Sequence, residues 1–380
     1  MQIKCAQLYP LEVPMSRPIK MAGETLTHAQ TLLVCLWDEA GRSGWGEASS
    51  APLMTGETLA SIAASTEYLA SRLVGLDVAD PEAIDAAFDG ILYGNPSARS
   101  CLETALMDLF AQRADVPLHR FLGGDSAGPF NDRIEMLHML ASGDLQAELE
   151  EARALRGDGY RQWKIKVGAG SIASDLRRVE RLCSELAGDV VSADANQMLA
   201  VGDATAIAQT GSANGLSFLE QPFAAGQIEL MAALHRRTGV SLCADESIHE
   251  LRDISEHVHA AAAQGASLKL IKLGGTRALL EAGRLCLAHG MQVNLACKVA
   301  ETTISAAATA HVGFALGQVA WGFSMSNRYL AADVCEQPLV PEAGAVHASQ
   351  LAAPGLGFAP GADRLRQFAS QGLPARELRA

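Results

Sequence analysis

One regularity constrains this chain more than any other. Short apolar runs end repeatedly in a charged residue, and these residues recur at nearly constant spacing. Lys164 and Lys166 follow Arg161-Gln162-Trp163, Asp194 closes Val190–Ala193, Glu220 closes Leu216–Leu219, Asp245 closes Ser241–Ala244, and Lys269 sits in Ser267–Ile271. Subtracting positions from Lys166 to Lys269 gives steps of 28, 26, 25 and 24 residues. A strand, a helix and two connections take about that many. Each repeat therefore returns one charge to the same end of one parallel sheet.

Around this stretch the chain changes character twice. Residues 1–50 read as three strands, Ile3–Leu11, Thr31–Trp37 and Ser43–Ala48, the last two joined by a turn at Asp38–Gly41. Two long connections, Arg17–Gln30 and Ser49–Thr58, suit functional loops. Residues 59–125 are helical, most clearly Ser97–Gln112, where Cys101, Leu102, Ala105, Leu106, Leu109 and Phe110 form one apolar stripe. A boundary is expected near Asp125–Phe130. From Ile134 strands alternate with helices. Asp144 is expected to cap one helix and Ser174 the next, and further strands fall near 190, 217, 241, 267, 291 and 318. Eight strands with helical crossovers favour a (β/α) barrel. The expected organisation is an α+β domain over 1–125, a barrel over 126–325 and a loop-rich segment over 326–380 that runs back over the first domain.

Composition narrows the function classes. The net charge of −13 disfavours a nucleic-acid partner or an anionic membrane surface. No signal peptide and no membrane span are legible, so a cytoplasmic location is expected. The eight cysteines form no C-x-x-C pair and no cluster with histidine at zinc spacing, which suits small buried hydrophobes in a reducing compartment.

The charged strand ends carry the chemistry. A lone Asp at such a place is ordinarily a helix cap or a surface charge. Asp194, Glu220 and Asp245 share one structural phase, and three carboxylates without histidine or thiolate suit a hard cation, Mg²⁺ or Mn²⁺. Lys164 and Lys166 lie two apart on a strand and face one way. Inside a barrel, burial and like charge would lower their pKa and make one a general base. Lys269 and Lys272, three apart, would face opposite ways on a strand, and parity does not choose between them. Lys298 and Glu301 follow the seventh strand and reach the same rim.

These motifs in order resemble the enolase superfamily: Lys-x-Lys (Lys164, Lys166), Asp-Ala-Asn (Asp194–Asn196), Leu-Glu-Gln-Pro (Leu219–Pro222), Ala-Asp-Glu-Ser (Ala244–Ser247) and Leu-Lys-Leu-Ile-Lys-Leu-Gly-Gly (Leu268–Gly275). Within it they are most similar to the muconate-lactonizing subgroup of the mandelate racemase/muconate lactonizing enzymes. Gly44–Ala48 and the Ser97–Gly124 stretch are similar to that family's first domain. The resemblance implies an α+β capping domain over a modified TIM barrel, (β/α)₇β. It implies Mg²⁺ on Asp194, Glu220 and Asp245, with Asn196 and Glu246 beside them. Lys166 and Lys269 would serve opposite faces of the substrate, Lys164 would support Lys166, and Glu301 matches an acidic residue after the seventh strand. Cys297-Lys298 stands where mandelate-racemase-type enzymes place a histidine base. Lys298 is open between binding a substrate carboxylate and a rim salt bridge.

The implied activity is Mg²⁺-dependent removal of the α-proton of a small carboxylate through an enediolate. The outcome would be racemisation, epimerisation or cycloisomerisation, with dehydration as the alternative. Expected partners are that substrate and, at most, further copies of the chain. Substrate choice would rest on the two long loops, with Arg17, Lys20 and His28 as anion binders and Met21, Leu53 and Met54 as apolar lining. A metal-dependent hydrolase is disfavoured, because His257-Val258-His259 falls on a helix where residues two apart do not face each other. A phosphate binder is disfavoured because Gly168-Ala169-Gly170 lacks the further glycine. A barrel without catalysis is disfavoured by the full set of carboxylates and lysines.

Overall fold

The computed structural model describes residues 1–21, 24–78, 80–123 and 131–380; the side chains of Lys20, Met21, Glu24 and Glu82 and the expected boundary at Asp125–Phe130 lie outside that description. The chain opens with three antiparallel strands, β1 (Ile3–Met21), β2 (Glu24–Asp38) and β3 (Ser43–Ser49). Four helices follow: α1 (Leu59–Leu73), α2 (Ile84–Ile91), α3 (Pro96–Arg113) and α4 (Leu118–Gly123). Helix α3 lies directly on β3. A Cβ on Gly44 or Gly46 would overlap the carbonyls of Ala105 and Cys101, so the two glycines are what permit the approach.

The described residues of the expected loop at Arg17–Gln30 belong instead to β1 and β2. Register continues from Ile3↔Asp38 to Met21↔Glu24, with an irregularity between Pro14 and Ile19. Arg17, Thr25, Thr27, His28 and Gln30 are exposed, so the stretch lacks the apolar alternation by which a strand is recognised.

Beyond it, β4 (Arg133–Glu135) precedes β5 (Leu137–Leu140), and alternation runs through α5 (Leu145–Gly157), β6 (Gln162–Lys166), α6 (Ile172–Glu185), β7 (Val190–Asp194), α7 (Val201–Ala213), β8 (Phe218–Glu220), α8 (Ile228–Thr238), β9 (Leu242–Ala244), α9 (Leu251–His259), β10 (Gly265–Leu268), α10 (Leu270–Leu273), α11 (Thr276–Ala288), β11 (Gln292–Ala296), α12 (Thr303–Leu316) and β12 (Phe323–Ser324). Strands β5 to β12 are parallel neighbours in sequence order, and a Met136↔Phe323 bridge joins the two ends of the sheet. This is the (β/α)₇β barrel. The expected Asp144 cap is present, accepting from Ala147 N at 2.8 Å, whereas Ser171 rather than Ser174 caps α6. The last strand sits at Phe323–Ser324 rather than near 318. Trp321, just before it, stacks on Phe218 with ring centroids 3.9 Å apart and fills the barrel below the site.

After the barrel, β13 (Ala345–His347) pairs with β4, α13 (Ala362–Gln367) follows, and β14 (Arg376–Arg379) adds to the first sheet beside β1. Among the described residues, no helix is long and apolar enough to cross a membrane. All eight cysteines are free thiols, and all but Cys5 are buried.

Buried acids fix the first domain to the barrel rim. Glu47 accepts from Thr302 N and Oγ1, from Ser305 N and from Thr31 Oγ1, and so caps α12 from β3. Glu103 on α3 accepts from Thr276 N, Thr276 Oγ1 and Arg277 N at the start of α11. Asp108, also on α3, ties the first domain to the C-terminal segment instead, accepting from Trp45 N of β3 at 2.9 Å and from Leu356 N at 2.7 Å. Each carboxylate at a helix start satisfies orphan donors and meets the positive end of the dipole.

Candidate active site

The sequence-predicted residues converge at the C-terminal ends of the barrel strands. Lys164, Lys166, Asp194, Asn196, Glu220, Asp245, Lys269 and Lys298 line one small cavity with Met54, Met139, Met325 and Tyr329. A larger cavity of about 510 Å³ adjoins it under the β1–β2 ribbon. Asn196, Met54 and Lys298 line both, and His28, Leu53 and Glu246 line the larger one. Arg17 lines neither, and the side chains of Lys20 and Met21 lie outside the described residues.

Strand pleat puts Lys164 and Lys166 on the interior face together. Lys164 Nζ lies 2.6 Å from Glu220 Oε2 and 4.0 Å from Asp194 Oδ2. Lys166 Nζ donates to Asp194 Oδ2 at 2.5 Å and to Asn196 Oδ1 at 2.6 Å. Asn196 follows β7 with a left-handed φ of 40°, so that its N–H reaches Asp194 Oδ1 at 3.0 Å and its Nδ2 reaches Glu246 Oε1 at 3.0 Å. Gln221, with φ 33°, accepts at Oε1 from Asp245 N and Ser247 Oγ, both at 2.9 Å. These left-handed backbones carry a conformational cost at the points where site side chains are aimed.

The opposite side corrects the parity argument for the other lysine pair. Strand β10 stops at Leu268, and α10 makes one helical turn over Leu270–Leu273. Residues three apart on a helix share a face. Lys269 and Lys272 therefore both reach Asp245. Lys269 Nζ donates to both its carboxylate oxygens, and Lys272 Nζ to its Oδ1 at 2.7 Å, its carbonyl and the Ser267 carbonyl.

The pairing reverses the expected lysine shift. Burial pushes Lys164 down, but Glu220 and Asp194 outweigh it, and the group ends above the ordinary lysine range. Lys269 is likewise raised, because Asp245 and Glu220 outweigh burial. Lys272, buried with less compensation and facing Lys269, is lowered. Burial raises Asp194 and Asp245, yet their lysines hold both below the carboxylate range. Glu220 is pushed up to about 8 by burial and by Asp194. Glu301, which accepts from Lys298 N at 2.9 Å, is pushed up to about 8 by burial and by Glu47.

The donor set fits a hard cation. Oε1 of Glu220 and Oε2 of Glu246 are buried without a hydrogen-bond donor, and Oε2 of Glu220 meets the Lys164 ammonium. Buried anionic oxygens without donors suit a positive charge. Among the described residues, no three His, Cys, Asp or Glu side chains stand together in ligand geometry; ammonium groups lie on Asp194 and Asp245 instead.

Sequence reasoning left Lys272 open beside Lys269 and missed Gln221 and the Glu47, Glu103 and Asp108 clamps. For Lys272 a signal existed, since the Gly274-Gly275 pair just beyond it marks a helix end.

Barrel, first domain and paired strand-end charges together define a class, and comparison with known proteins gives the same one. Residues 6–123 match the mandelate racemase / muconate lactonizing enzyme N-terminal domain, and residues 146–364 match the enolase C-terminal domain-like family. The chain is 31% identical over 365 residues to a chloromuconate cycloisomerase of Cupriavidus pinatubonensis, covering 94% of this chain and 96% of that one. It is 25% identical over 318 residues to an N-succinyl-L-Arg/Lys racemase of Bacillus cereus, covering 83% and 84%. It superposes on the muconate lactonizing enzyme from Pseudomonas putida with a TM-score of 0.89 and 28% identity, covering 97% and 100%. The chain belongs to the mandelate racemase/muconate lactonizing enzyme family of the enolase superfamily. It is an isomerase of that superfamily, working by proton removal next to a carboxylate, and members of the family are generally dependent on a divalent metal.

Proposed function

We propose that the chain is a racemase or epimerase that moves a proton between the two faces of an α-substituted carboxylate. The observation that carries this reading is topological. Lys166 ends the second barrel strand and Lys269 follows the sixth, so three strands separate them on either side and they face each other across the barrel. The three carboxylates occupy the strand ends between.

Asp194, Glu220 and Asp245 would hold Mg²⁺ or Mn²⁺, with Asn196 and Glu246 beside them. When bound, the cation supplies the positive charge that stabilises the enediolate. Lys166, as the free amine, takes the α-proton from one face and becomes an ammonium. Lys269, already held as an ammonium by Asp245, delivers a proton to the other face; the reverse sequence serves the other stereoisomer. Lys164 keeps its charge beside Glu220 and supports the carboxylate end. Lys298, where the two cavities meet, is placed to hold a second anionic group of the substrate. The larger cavity accommodates the α-substituent and limits access of water.

The 31% identity to a chloromuconate cycloisomerase favours a second reading, in which one lysine delivers the proton and a lactone ring opens or closes. One experiment separates the two. The purified protein with Mg²⁺ is incubated in D₂O with N-succinyl amino acids, dipeptides and cis,cis-muconate. Exchange and inversion at the α-carbon support the first reading; lactone formation without exchange of either stereoisomer overturns it. Release of a 2-oxo acid from a hydroxylated substrate would mark dehydration instead.

A further inference from the structure

Three buried charged side chains that the proposed reaction does not use converge behind the Lys166 end of β6. Arg178, on α6, donates through Nε and Nη2 to the two oxygens of Glu148 on α5, at 2.8 and 2.7 Å. Its Nη1 donates to Asp175 Oδ1 at 2.9 Å and to the main-chain carbonyl of Lys166 at 2.8 Å. Asp175 Oδ2 accepts from Gly168 N at 2.8 Å, and between them Val167 N donates to Asp194 O at 3.0 Å. Glu148 is fixed in turn by Gly143 N at 3.0 Å. The main chain is thus held at three consecutive residues, beginning at the lysine.

Such a cluster is a costly way to join two helices to a strand. Taking charges out of water costs several kcal/mol per ion, and apolar side chains of similar volume commonly serve stability as well. What the charges add is direction, a bond to one particular carbonyl. The Lys166 side chain has no fixed anchor of its own during reaction. Its ammonium rests on Asp194 and Asn196 and must leave both to meet a substrate, so the backbone aims it. Lys269 is held differently, its carbonyl accepting from Lys272 N and Leu273 N, both at 3.3 Å, in the helical turn.

We propose that Arg178, braced by Glu148 and Asp175, is a positioning residue for Lys166 and sets the rate of proton transfer on that face alone. The inference rests on the reading that Lys166 and Lys269 work on opposite faces. Its test compares faces. Arg178→Lys keeps the charge with fewer donors, and Arg178→Met removes it. The probes are both enantiomers of whichever N-succinyl amino acid the wild type exchanges fastest in D₂O, with Lys166→Ala and Lys269→Ala assigning a face to each. In Arg178→Lys, exchange of the Lys166-face enantiomer is expected to slow about 10- to 100-fold, in kcat rather than KM, because small misplacements of a reacting group cost that much. Exchange of the other enantiomer is expected to hold. Equal slowing of both, or slowing of neither, overturns the inference. If Arg178→Met does not fold, Arg178→Lys carries the test; loss of the fold in both overturns the inference, because the cluster then serves the barrel as a whole. A wild type that exchanges neither enantiomer refutes the two-face reading beneath it, and is seen before any substitution is made.

Discussion

Two sets of buried acids stand in this chain, and their neighbours give them opposite tasks. Asp194, Glu220 and Asp245 sit at strand ends facing lysine ammonium groups. Glu47, Glu103 and Asp108 come from the first domain and face backbone N–H groups. The first set meets mobile cations that must shift for chemistry to occur. The second meets fixed donors: Glu47 and Glu103 join the domain to the barrel, and Asp108 joins it to the C-terminal segment. Burial pushes Glu103 up to about 7 and Asp108 up to about 6, whereas Asp194 and Asp245, buried as deeply, lie below the carboxylate range because ammonium groups face them. Burial alone therefore does not mark a catalytic acid; the partner does.

Substitutions should separate the two sets, and the largest effect is expected at the site. Glu220→Gln removes an acid whose Oε1 has no donor and whose Oε2 faces the Lys164 ammonium at 2.6 Å. It is expected to abolish turnover and the rise in Tm that Mg²⁺ gives the wild type, while lowering the metal-free Tm only slightly, because Asp194 still faces the Lys164 ammonium at 4.0 Å. A metal-free Tm that falls steeply would move Glu220 into the structural set. Next comes Glu47→Ala, which strips Thr302, Ser305 and Thr31 of their acceptor. Loss of about 3 kcal/mol of unfolding free energy is expected, measured by denaturant titration. A neutral result would mean that the seam does not depend on this clamp.

A smaller effect concerns pH, away from both sets. His119 and His311 stack between α4 and α12 and are held by burial at about 4 and about 3, below the ordinary 6.5. Between those values and 6.5 the unfolded chain binds more protons than the folded one. Stability from this pair is therefore complete above pH 6.5 and falls as the pH drops toward 3. His311→Phe should flatten the acid limb of a Tm-against-pH curve; an unaltered limb would place the acid response elsewhere.

The two sets also differ in what sequence could reveal. Strand-end acids and lysines are legible because each belongs to a period that the chain repeats locally. The clamps are not, because Glu47 and Thr302 lie 255 positions apart and Glu103 and Thr276 lie 173 apart. Arg178 and Glu148, 30 positions apart on neighbouring helices, read in sequence only as polar helix residues. The shared face of Lys269 and Lys272 was hidden by weighing both on one strand, when the chain turns helical after Lys269. The β1–β2 ribbon was hidden because exposed polar strands carry no apolar alternation.

The central claim is that Lys166 and Lys269 serve opposite faces, and stereospecific exchange tests it most directly. Each α-carbon enantiomer of the best substrate is followed by NMR in D₂O with Lys166→Ala and with Lys269→Ala. The account predicts complementary losses: each variant stops exchange of one enantiomer, retains exchange of the other, and racemises neither. Both enantiomers exchanging normally in either variant, or both failing through loss of the same single lysine, would contradict it.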